Sequence, residues 1–291
     1  MKTTRTWPTL LTAAAALAIF ASLLPAPTRA QETAGPGRGT GTPGPGRGRG
    51  ARSGPVKPTP RLPDGHVNLG APAGQSGFWG GGGSIVGKRG SSLPTNLDVA
   101  AVPFQPWAKA LYEARLKVGD KDDPHARCLP PGGPRQFQTP NGFEFIEQSD
   151  RKRITIIFGG GPRSWRFIYL DGRPLPDLKD PDLIPTYFGY STGHWDGDTL
   201  VVESAGYNEK FWMHRGGLPH TTALHLTERF SRPDYDTLKY EVTVDDPKAY
   251  TKPWTGGFTV PWTYTNWDGS PGGEIQEYLC QDNERDYQTL R

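Results

Sequence analysis

Between residues 143 and 264 the chain repeats one pattern: short runs in which alternate side chains are apolar, each run closed by a turn signal. Successive side chains of a β-strand point to opposite faces, so runs of this kind read as half-buried strands. Phe143, Phe145 and Glu147 alternate with Glu144 and Ile146. Ile154, Ile156 and Phe158 run into Gly159–Gly161, and Trp165, Phe167 and Tyr169 follow, ending at Asp171-Gly172. The run from Tyr187 to Trp195 pairs naturally with Thr199 to Glu203 across Asp196-Gly197, a two-residue hairpin signal. His225–Phe230, Leu238–Val244, Phe258–Tyr264 and Ile275–Leu279 complete a set of eight or nine strands. A meander of that length must close or cover its edges. The expected fold is therefore mainly β, an antiparallel up-and-down barrel of the calycin or lipocalin kind. The alternative is a two-sheet sandwich or jelly roll.

One helix precedes the sheet. Pro103 stands before it, Pro106 falls in its first turn, and Phe104, Trp107, Ala108 and Leu111 are spaced for one helical face, which places it from about Gln105 to Lys117. Asp120, Asp122, Asp123 and Pro124 end it. Gly and Pro together number 68 of 291 residues, which excludes a helical bundle and fits turn-rich β structure joined to low-complexity chain.

The low-complexity part lies toward the N-terminus. Residues 1–30 read as a secretory signal: Lys2 and Arg5, an apolar run from Leu10 to Leu24, then Pro25 and a small-residue cleavage site ending at Ala30. The expected location is periplasmic or secreted. Residues 31–62 repeat Gly-Pro-Gly-Arg and Gly-Arg-Gly, with no large apolar residue before Val56, and read as a disordered tether. Residues 63–103 read as an irregular, Gly-rich lead-in, and residues 104–291 as a single β domain. The formal charge divides along the same lines. The whole chain carries +3, residues 1–30 account for +3 and residues 31–62 for +5, leaving −5 on the remainder. An acidic domain offers no basic groove for nucleic acid, while the tether can touch an anionic envelope surface. Cys128 and Cys280 are the only cysteines, and in an oxidising compartment they are expected to pair.

Several residues are candidates for chemistry. Gly189-Tyr190-Ser191-Thr192-Gly193 matches the G-x-S-x-G pattern, but the helix that a nucleophile elbow requires does not follow it. The Gly-rich stretches at 80–83 and 159–161 open no helix and precede no Lys-Ser/Thr pair, so they read as turns and no cofactor is expected. His220, His225 and Glu228 fall within nine residues, yet in no zinc spacing, and no metal is expected. Glu228 occupies the apolar face that Leu224, Leu226 and Phe230 define, where a carboxylate must be paired or face a cavity. A buried Glu–Arg tie across strands competes with a ligand role for it. Asp245-Asp246-Pro247 reads as either a turn or a carboxylate pair.

Five stretches resemble those of a family of exported bacterial proteins without a settled biochemical role. They are Asp123 to Arg135 (DPHARCLPPGGPR), Gly193 to Val202 (GHWDGDTLVV), Arg215 to His220 (RGGLPH), Glu228-Arg229-Phe230, and Asp245 to Trp254 (DDPKAYTKPW). The resemblance covers roughly Pro103 to Asn283. It implies export and a single domain, and it carries over no catalytic residue. The expected function is binding of a small, partly apolar molecule in the barrel cavity. Trp165, Phe167, Tyr240 and Trp262 would supply the wall, with Glu228, Arg229 and His220 orienting the ligand. The alternatives are a hydrolase or lyase acting on an ester or glycan, with His220 and Glu228 as its acid–base pair, and a passive envelope-associated structural protein.

Overall fold

The computed structural model describes residues 55–87, 97–161, 164–265, 272–276 and 280. The chain divides into two units, Met1–Ser53 and Gly54–Arg291. The first lies outside the described residues, and with it the signal segment and most of the tether expected from the sequence.

The second unit is mainly β. In chain order it contains β1 (Phe78–Trp79), β2 (Val86–Gly87), β3 (Leu97–Asp98), α1 (Pro106–Val118), β4 (Phe143–Gln148), β5 (Arg153–Phe158) and β6 (Trp165–Tyr169). After these come β7 (Tyr190–Asp196), β8 (Thr199–Ala205), β9 (His225–Asp234), β10 (Thr237–Asp245) and β11 (Trp254–Thr263). Nine of the strands form one closed ring in the order β1-β11-β10-β9-β8-β7-β6-β5-β4, and β4 returns to β1 through Trp79 and Phe143. β2 and β3 make a separate parallel pair.

The ring differs from an all-antiparallel meander at one junction, where β6 and β7 run parallel with Ile168 opposite Ser191. Parity requires such a junction. Strand direction reverses at each antiparallel pairing, so a closed ring of nine strands cannot be antiparallel throughout. The crossover that a parallel pair needs is supplied by residues 170–189. The Gly-rich lead-in is also less irregular than its composition suggests, because it contributes β1, the strand that seals β4 to β11. Between β7 and β8 the two-residue loop is Gly197-Asp198, with Asp196 paired to Thr199 and Gly197 at φ 57°, one residue beyond the expected position. Residues 272–276 form no strand, and the rest of the run expected from Ile275 to Leu279 lies outside the described residues.

α1 begins at Pro106 and stops at Gly119, whose positive φ ends the helix and whose N–H bonds to the Arg115 carbonyl. It buries Ala108 and Tyr112, while Trp107 stays exposed and donates its indole N–H to the Lys248 carbonyl. Among the described residues no helix is long and apolar enough to cross a membrane.

Aromatic side chains pack the ring interior. Phe137, on the 3-10 turn Gly133–Gln138, inserts between strands, its ring 4.9 Å from Phe143, 5.2 Å from Phe158, 5.3 Å from Phe230 and 4.9 Å from Tyr240. Farther along β9, Arg232 lies over the rings of Trp79 and Trp262 and donates to the carbonyls of Asn68, Gly70 and Tyr235. These bonds, with the Arg61–Asp198 and His66–Glu147 pairs, fasten residues 57–71 to the ring. Cys128 and Cys280 form the disulfide expected from the sequence, 152 residues apart.

Candidate functional site

Glu228 faces the interior and is fully buried, as its apolar neighbours require. Its carboxylate is completely engaged. Arg166 donates Nη1 to Oε1 at 3.0 Å and Nη2 to Oε2, Tyr240 donates its hydroxyl to Oε1 at 2.9 Å, and Ser204 approaches Oε2 at 3.4 Å. Arg166 uses its Nε–H on the Ser191 hydroxyl at 2.9 Å. Ser204 lies 2.6 Å from the Tyr207 hydroxyl. Burial, aided by the Glu228 charge, pushes the Tyr240 phenol well above its ordinary range, and burial does the same to Tyr207. The cluster is a buried Glu–Arg tie across β6 and β9, the competing reading of Glu228 given above. Ser191 is part of that tie and is not exposed on an elbow.

The other expected site residues do not gather around Glu228. His220 is buried against Phe211, at a ring separation of 4.1 Å, and its nitrogens lie near the carbonyls of Phe211 and Thr221, 3.1 and 3.4 Å away. Burial pushes its imidazole below the usual range. No hydrogen bond joins it to Glu228. Arg229, on the opposite face of β9, pairs with Asp196 at 3.0 Å. His225 also faces outward, 3.1 Å from Glu203. Asp246 accepts from the N–H and hydroxyl of Thr221 and caps the turn before Tyr250, so the Asp-Asp-Pro segment is structural. No group of three or more histidines, cysteines and acids arranged for a metal occurs among the described residues.

Trp165 and Phe167 sit on the outer face of the ring. On β6, Arg166 and Ile168 are buried while Trp165 is 49% exposed. The tie to Glu228 turns Arg166 inward, and the flanking aromatics must then point out. Tyr240 and Trp262 do face inward, but they are consumed in packing. The expected wall is thus divided between two faces of one sheet.

The outer face carries a groove of about 710 Å³, within the usual range for small-molecule sites. Register defines its floor: Glu144 lies opposite Ile157, Ile157 opposite Trp165, and Thr155 opposite Phe167. Glu144, Ile157 and Trp165 therefore form one row across β4, β5 and β6. The row places the carboxylate and the indole on either side of Ile157, about 10 Å apart at strand spacing. The rim is made by Gln75–Gly77 and Gly273–Gln276, joined by the bond from Gly77 N–H to the Gly273 carbonyl at 2.6 Å. Glu274 thereby faces the Glu144 side. Burial, and then the Glu274 charge, push the Glu144 carboxyl above the ordinary carboxylate range. Neither glutamate has an ion-pair or hydrogen-bond partner among the described residues, and the described lining contains no Lys, Arg or His. Arg153 covers one face of Phe167 at 4.4 Å, leaving Trp165 as the free aromatic surface.

No protein-family model, curated protein or solved structure matches the chain, so the site stands on this geometry alone. The sequence marked Trp165 and Phe167 but missed Glu144 and Glu274. Glu144 carried a signal, since it is the acid on the outward face between Phe143 and Phe145. Glu274 joins the site only through a loop contact.

Proposed function

We propose that the protein is an exported binder of a small, partly apolar, positively charged molecule, taken up in the outer groove over β4–β6. The observation that carries this reading is the pairing of two carboxylates, without partners among the described residues, with a half-exposed indole in one groove. A bare ammonium or quaternary ammonium group relieves the repulsion between Glu144 and Glu274. The apolar remainder of such a ligand covers Ile157 and Trp165, and a cation over an indole contributes about 0.5 to 2 kcal/mol. The disulfide supports an oxidising, exported setting. The closed ring supports a rigid, barrel-like scaffold related in architecture to the calycins, here with its interior filled by side chains and its ligand outside.

Calorimetry with benzyltrimethylammonium and its uncharged isostere neopentylbenzene tests the reading. The cation binds more tightly. Glu144→Gln weakens it by roughly tenfold, the effect of about 1.4 kcal/mol, and Trp165→Ala by a similar factor. Equal affinity for the two probes contradicts the charge preference. Turnover of a chromogenic glycoside that is lost in Glu144→Gln would make the groove an enzyme site and refute the binder.

A further inference from the structure

Two stretches that the groove leaves unused, Asp123 to Arg135 and His214 to Gly216, meet at a second cavity of about 580 Å³. Arg135 is only 6% exposed, and it donates Nη1 to Asp123 Oδ1 at 2.7 Å and Nη2 to Oδ2 at 2.5 Å. A guanidinium carries five N–H donors, so three remain on a nearly buried arginine, with no partner for them among the described residues. Asp123 also accepts the His125 N–H at 2.9 Å. At the mouth, Arg215 gives Nε and Nη2 to Asp120 Oδ2 and keeps its Nη1 donors.

His214 forms part of the same wall. It is 9% exposed, and its Nδ1 is buried without a partner among the described residues. Packing holds the ring in place: a Cβ on Gly216 would fall 2.3 Å from its Cε1, and the Tyr112 ring lies 6.0 Å away. His125, also on the wall, turns Nδ1 to the Leu129 carbonyl at 3.0 Å. A carbonyl only accepts, so Nδ1 carries the hydrogen. Each aspartate charge in the cavity is already matched by an arginine. What remains unspent is mostly donors on two guanidiniums, together with a buried imidazole edge.

We propose that this cavity binds a small oxyanion, a phosphate or carboxylate group, held by the free N–H groups of Arg135 and Arg215 against the His214 imidazole. Planar guanidinium donors match the paired oxygens of such groups. Asp120 and Asp123 keep the net charge near zero, which favours a ligand small enough to reach the donors without displacing either acid.

The test titrates the full chain with inorganic phosphate and, separately, with acetate, at constant ionic strength set with sodium chloride. The histidine ring resonances are followed by NMR. Saturable binding of either probe that moves the His214 signal supports the site, and the stronger probe identifies which oxyanion it takes. Arg215→Gln, at the exposed mouth, should weaken binding about tenfold, Arg215→Lys less, and Trp165→Ala not at all. His214→Phe keeps the ring packing and should weaken binding at least threefold. The proposal is overturned if neither probe moves the His214 signal, or if Arg215→Gln binds as tightly as the parent while showing the same thermal melt.

Discussion

Replacing Arg166 by methionine removes the only cation paired, among the described residues, with the fully buried Glu228 carboxylate. Glu228 then retains the Tyr240 hydroxyl at 2.9 Å and the distant Ser204 hydroxyl at 3.4 Å, while Ser191 loses its donor. Breaking a buried pair in this way costs about 3–5 kcal/mol, because a charge is left desolvated and unmatched. Domains of this size have about 5–15 kcal/mol in all. At a slope of about 1–3 kcal/mol per molar urea, the unfolding midpoint should fall by roughly 1–5 M. Adding Glu228→Leu should recover most of the loss. In register Glu228 lies between Val202 and Val242, so a leucine meets apolar neighbours on both strands. Urea unfolding of the parent, both single variants and the double variant completes the cycle. A loss below about 1 kcal/mol in Arg166→Met would show that the pair is hydrated rather than buried, and would refute the account of the interior.

Three further outcomes follow from the fold. Phe137→Ala should cost about 3–5 kcal/mol by denaturant titration, since the ring it removes touches four aromatic neighbours and leaves a cavity. Burial, with Arg135 adding to it, holds the His214 imidazole down at about 4, so below pH 6.5 the unfolded chain takes the proton first. Stability should therefore fall by up to about 3 kcal/mol as pH drops from about 6.5 to 4, and His214→Phe should lose that increment relative to the parent. Reducing Cys128–Cys280, which closes 152 residues of chain, should cost about 5 kcal/mol on the chain-entropy account and lower the melting temperature.

Alternation along the strands was legible in the sequence because it depends only on backbone geometry. β4, β5 and β8 to β11 begin and end within a few residues of their hydrophobic runs. The choice of inner face was not legible for every strand. On β6 the aromatics Trp165 and Phe167 look like core, yet the face is decided by Arg166, whose partner Glu228 lies 62 residues away in sequence. A carboxylate on the apolar face of β9 signalled that some arginine had to turn inward, but not which one. β1 was hidden for another reason. Two residues, Phe78 and Trp79, show no periodicity, and the strand exists only because β4 and β11 stand open on either side. The groove combines both difficulties, an outward row set by register and a rim residue, Glu274, delivered by a loop.

The most direct test of the groove is a titration of the ¹⁵N-labelled protein with benzyltrimethylammonium, observing the tryptophan indole N–H signals. Trp165 lies on the outer face, whereas Trp79 is buried in the interior with its indole bonded to the Leu69 carbonyl at 2.7 Å. A ligand in the groove gives a saturable shift at Trp165 with Trp79 unmoved. A shift at Trp79 with Trp165 silent would place the ligand inside the ring and contradict the groove site.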